Sequence, residues 1–174
     1  MKSELKIFSR YNTVAMQRLY DLLSGVPADL LLKEKGSFFG SIMGILNHLL
    51  SSDLNWFKRF HEGFPELKSL SSFDLSQNVI PGTKRLLYTE LAPLRLRHET
   101  TTRAYSALID EADEDFFARE FSYVNMKGDK NVAVVGHVLF HLFNHQTHHR
   151  GAIAQILDEE GIENDFSGLL TTIK

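Results

Sequence analysis

The chain has no cysteine. That excludes a disulfide-stapled secreted scaffold, a thiolate metal site, a cysteine nucleophile and an iron–sulfur cluster, so a bound metal must take nitrogen or oxygen ligands. A basic excess is also missing. The chain carries 19 Lys and Arg against 22 Asp and Glu, a formal net charge of -3. A nucleic-acid binder needs surplus Lys and Arg to offset phosphate charge, so no such partner is expected. Long uncharged apolar runs are absent too. Nothing approaches the roughly 18 residues of a membrane span. The opening Met1–Arg10 stretch mixes charges with single apolar residues and lacks the apolar centre of a signal peptide. No membrane partner is expected, and the cytoplasm is the expected location. What is present is ordinary for a globular chain: 174 residues, 43% apolar and 24% charged. That suffices for one core, and a single domain over residues 1–174 is expected.

The apolar pattern reads as all-α, with four long helices. Ile7, Phe8, Tyr11, Ala15, Leu19 and Leu23 recur at three- and four-residue steps in the first, expected from about Leu5 to Ser24 and stopped by Gly25 and Pro27. Met43, Leu46, Leu50 and Phe57 mark the second, from after Gly36 to about His61. A polar stretch over 62–88 is too long for a tight hairpin and predicts a crossover along the bundle. The third helix is expected over about Thr89–Glu111, with Pro93 tolerable in its first turn. Around Gly128, Phe121 and Tyr123 alternate with polar neighbours, which predicts a small β-hairpin within Arg119–Val134. The fourth helix is expected over about Val132–Glu160, stopped by Gly161. Residues 165–174 read as a packed turn or short helix.

Histidine is the unusual abundance. Five of the eight fall in one stretch: His137, His141, His145, His148 and His149. Histidines four apart lie one helical turn from each other, so two imidazoles can converge on one ion. The same spacing occurs in zinc proteases of the H-E-x-x-H type, but Gln146 follows His145 here, so the general base of that chemistry is missing. At about 100° per residue, His149 lies about 30° from the centre of the helix's apolar stripe, His145 about 70° and His141 about 110°. His145 and His149 are therefore the pair expected to face inward and hold metal. His137, His148, His61 and His98 are expected at the surface. A third ligand must come from another helix. The second offers Asp53, near the middle of its apolar arc, and His48, nearly opposite. The wheel favours Asp53, because a buried carboxylate needs a cation or donor.

Asn47-His48-Leu49-Leu50 with Asp53 and Trp56, Tyr11-Asn12 in the opening helix, and Asn144-His145-Gln146-Thr147-His148-His149-Arg150-Gly151 together resemble the DinB/YfiT-like family of candidate metalloenzymes, over nearly the whole chain. The resemblance implies a four-helix bundle in up-down-down-up order and a divalent metal, often nickel or zinc, held by His48, His145 and His149. It moves Asp53 to an outer position. Some relatives transfer low-molecular-weight thiols such as bacillithiol or mycothiol, so a thiol cosubstrate is implied; many have no known reaction.

The candidates for catalytic acid–base work are His141 and Asp53. Arg150 is a candidate for holding an anionic cofactor group, although a surface or inter-helix salt bridge is its simpler role. Gly151 is expected to permit close helix packing. Trp56 is most simply core, with lining of a pocket as the alternative. The Lys84-Arg85 and Arg95/Arg97 pairs are expected to be solvated charge. A small-molecule substrate of unknown identity is expected. The rival to a metal-dependent transferase or hydrolase is a non-catalytic helical module that binds metal structurally or forms a homodimer.

Overall fold

The computed structural model of the chain describes residues 1–75 and 86–172. Four long helices dominate: α1 (Lys2–Leu23), α3 (Ile42–Gly63), α5 (Leu91–Glu111) and α6 (Val135–Glu159). Short helices α2 (Ala28–Leu32), α4 (Lys68–Ser71) and α7 (Leu169–Thr172) lie in the connections and the tail, and a 3-10 turn (Asp115–Ala118) precedes the hairpin. The short connecting helices lacked a readable period because each spans about one turn. Among the described residues no helix is long and apolar enough to cross a membrane.

Each of α1 and α3 packs on both α5 and α6, so the four form a ring with α1 and α3 diagonal. Side-chain pairs set the directions. Ser9 meets Ser106 while Tyr20 meets His98, so α1 and α5 run antiparallel. Phe8 meets Phe140 and Asn12 meets Arg150, so α1 and α6 are parallel. His48 meets His149 and Trp56 meets His141, so α3 and α6 are antiparallel. The order is up-down-down-up. Parallel neighbours α3 and α5 require the long crossover. Its return is pinned by Asn47, whose Oδ1 accepts from the Leu87 and Tyr88 amides at 2.7 and 2.9 Å. Lys84 and Arg85 lie outside the described residues.

Local chemistry explains the helix starts. Ser41 caps α3 by accepting from the Gly44 amide at 3.1 Å. Pro93 sits third in α5, where its missing N–H has no intrahelical acceptor. The hairpin pairs β1 (Glu120–Val124) with β2 (Lys130–Val134), Tyr123 opposite Asn131. Gly128 takes φ 89° at its turn, a left-handed value that costs glycine nothing.

The core has two parts. An aromatic one, with Phe57, Phe60, Phe117 and Phe121, lies at the hairpin end. An aliphatic one, with Leu19, Leu46, Leu50 and Ile153, fills the other end. Between them, along α3 and α6, runs a buried polar layer that includes Asp53, Gln146 and Arg150. His145 and His149 belong to the same stretch of α6.

Candidate metal centre

Three histidines converge where α3 meets α6. The Nε2 atom of His145 lies 3.0 Å from that of His48 and 3.1 Å from that of His149. One ligand atom from each of the three falls within 4.8 Å of the others. The i, i+4 pair on α6 comes together as spacing predicts. The wheel misplaced His48 because α3 touches two neighbours: the middle of its apolar arc points between α5 and α6, and His48 occupies the rim against α6. That rim is half-buried, which suits a ligand that must be reached from solvent. Asp53, at the arc's middle, is only 1% exposed and sits in the core.

The histidines are held by rings. Phe39 stacks on His48 with centroids 3.9 Å apart and sets its edge against His149 at 5.5 Å. Sequence reasoning missed Phe39, which lies before the capped start of α3. Its position depends on Gly44, where a Cβ would collide with the Phe39 carbonyl oxygen. His141 is exposed, stacks on His145 at 5.9 Å and faces the edge of Trp56 at 6.4 Å, so it stands at the mouth of the site. His148 is exposed beside His149, and His137 is exposed as expected.

Electrostatics favour bare nitrogens. Burial, then the neighbouring imidazoles, lowers His145 to about 3. Burial, then His48 and His148, lowers His149 to about 4. Burial also lowers His48. A neutral imidazole has one lone pair and one N–H. The central His145 nitrogen faces two rings, so hydrogen bonding within the trio can satisfy only one of those contacts well. One cation accepting three lone pairs satisfies all of them, and nitrogen ligands suit zinc, nickel and related ions.

Behind the site, Gln146 Nε2 donates to Asp53 Oδ2 at 2.7 Å. Burial raises the Asp53 carboxyl to about 7, with the Gln146 bond pulling the other way. Asp53 makes no hydrogen bond to the three histidines and stands outside the group that could hold an ion, where His48 joins the α6 pair instead. Arg150 corrects a second expectation. It is not at the surface, and among the described residues it has no salt bridge. It is 2% exposed, donates to Asn12 Oδ1 at 2.7 Å and to Thr147 Oγ1 at 2.9 Å, and lies over the Tyr11 ring. It points at α1, away from His48, and ties the two parallel helices together.

Further expectations change. Gly151 faces open space and permits no close packing. Trp56 is half-buried and lines a cleft beside His48. His98 is 3% exposed and bonds through Nδ1 to the Tyr20 hydroxyl, while His61 is half-buried. The wheel had no view of α1, which covers His98. Arg95 pairs with Asp21 and Glu99, and Arg97 lies over Phe73.

Residues 1–167 match the family described as DinB family. The chain belongs to the DinB family. Among curated proteins it is similar to Protein DinB of Bacillus subtilis (strain 168), with 27% identity over 152 residues, covering 87% of this chain and 83% of that protein. No solved structure matches. The family assignment and the histidine trio together fit a metal-binding protein.

Proposed function

We propose that the chain is a divalent-metal-dependent enzyme whose ion, zinc or nickel, is held by His48, His145 and His149, and whose reaction is thiol transfer or hydrolysis. The observation that carries this reading is the convergence of three imidazoles on one point at a half-open rim. When bound, such an ion acts as a Lewis acid and lowers the pKa of a water or thiol beside it. Three protein ligands leave room for that partner. A thiol nucleophile must come from a cosubstrate, because the chain has no cysteine.

The chain's own residues supply the rest. Phe39 excludes water from one side of the histidines. His141, exposed at the mouth and stacked on His145, is placed to take a proton from an incoming group and pass it to solvent. Asp53 acts from behind, through Gln146, on the position of α6 beside His145. Arg150 fixes the rotation of α6 against α1 rather than holding a cofactor anion.

Elemental analysis of tag-free protein tests the reading, alongside His48→Ala and His145→Ala. About one divalent ion per chain, lost in both variants, supports it and justifies a screen of thiol-transfer and hydrolytic substrates. No ion after incubation with zinc or nickel overturns it in favour of a non-catalytic helical module.

A further inference from the structure

A cleft of about 420 Å³ opens from His48 along α3 toward the hairpin. That volume is in the range of small-molecule sites. Its floor is one helix face: His48, Asn55, Trp56 and Arg59 follow at seven-, eight- and eleven-residue intervals, close to whole turns. Its opposite wall is the hairpin, with Tyr123 and the turn residue Lys127.

Arg59 is the unusual member. Its guanidinium carbon lies 4.4 Å from the Trp56 ring centroid and 4.9 Å from that of Tyr123. The ring faces hold the cation in place and offset part of its desolvation. Among the described residues no acceptor takes its N–H edges, and no carboxylate forms a salt bridge with Arg59 or Lys127; Glu62, one turn along α3, acts on Arg59 only through its charge and pairs with Lys58 at 3.7 Å. Asp129 is the one acidic residue in the lining, and its carboxylate is tied into the turn by the Asn125 amide at 3.1 Å. Two cations without a salt bridge among the described residues therefore share a cleft with one engaged carboxylate, on a chain whose net charge is -3. A half-buried planar guanidinium with free edges is the standard receptor for an oxyanion read in bidentate fashion.

We infer that this cleft binds an elongated small molecule whose far end is an oxyanion, held by Arg59 and Lys127, and whose body lies over Trp56. The eleven residues from His48 to Arg59 span about 16 Å of helix axis, so the anion is remote from the group presented to the histidines. Binding of the anion stands on the cleft alone. Only the placement of the other end rests on the metal reading above.

The probes are 4-phenylbutyrate and its neutral twin 4-phenylbutyramide, titrated into zinc-incubated protein by nitrogen–proton correlation NMR. Trp56 is the only tryptophan, so its single indole N–H resonance reports the cleft directly. The carboxylate should bind at least about tenfold more tightly than the amide, the scale of a charge-assisted contact. The advantage should vanish in Arg59→Gln and shrink in Lys127→Gln, whose exposed position leaves the fold intact. Equal affinities, or an advantage unchanged in both variants, would overturn the inference; the second result would mean that the carboxylate sits on the metal. Repeating the titration in His145→Ala separates the two readings. An Arg59-dependent preference that persists in a protein binding no metal leaves the cleft standing while the metal reading fails. Metal at the histidines with no charge preference defeats the cleft alone.

Discussion

Two histidine sites occupy opposite seams of the bundle, and burial acts on both in the same direction. On the α1–α5 seam, His98 is enclosed and lowered to about 3 by desolvation. On the α3–α6 seam, His145 is lowered to about 3 as well. The difference lies in what answers the nitrogens. His98 finds for its Nδ1 the Tyr20 hydroxyl, a neutral partner from within the chain, while its Nε2 is buried with no partner among the described residues. His145 finds two more imidazoles, each with the same need. A buried histidine is therefore not in itself a ligand. Ring nitrogens that converge on one another with too few donors to satisfy every contact are what call for a cation.

The comparison breaks most readily at its centre. His145→Ala should weaken zinc binding by more than about a hundredfold, beyond the cost of losing an outer partner, as read by competition with a chelator. Circular dichroism should show the helices retained, because this ring is at the rim. If affinity holds, the trio is no metal site.

The next effect is on stability. Arg150→Ala leaves a cavity and strips Asn12 of its donor, and should cost about 3 kcal/mol in denaturant unfolding. Zinc affinity should fall less than in His145→Ala, because the histidines lose only their support. On the other seam, Tyr20→Phe leaves the His98 Nδ1 atom unpartnered and should cost about 1–3 kcal/mol, with zinc affinity unchanged. A change in zinc affinity there would mean that the two seams are coupled.

Acid sharpens the contrast further. The folded values of His98 and His145, about 3, lie below the ordinary 6.5. The folded state therefore binds these protons less readily than the unfolded chain. The stability they confer is full above about pH 6.5 and is lost as pH falls toward 3. The melting temperature of metal-free protein should drop across that window. Zinc should restore the part due to His145 until protons displace it, while the part due to His98 should persist and should flatten in His98→Phe.

The smallest effect is at Asp53, whose raised value of about 7 works with the opposite sign. Its contribution is present at low pH and is lost as pH rises through 7. Asp53→Asn, which can still accept from Gln146, should remove a decline in melting temperature that runs from the ordinary 3.8 up to about pH 7 and levels off above it.

The four long helices, the crossover, the hairpin and the inward pair His145/His149 were legible because each rests on periodicity or turn chemistry within one segment. His48 was legible only through family resemblance, since a helix wheel has one centre and α3 has two neighbours. His98 and Arg150 were misread for a related reason: what buries them is α1, about 80 and 140 residues away in sequence, and no local pattern carries that contact. Phe39, Arg59 and Tyr123 gave no signal by themselves, because an aromatic or a cation at helical spacing reads as core or solvated surface. By itself the sequence determined which ligand types exist and how the α6 histidines are spaced, both local properties of the chain. Only the tertiary structure decided which third histidine joins them, which cation stays unpaired and which histidine is closed off, because those outcomes depend on the seams where separate helices meet.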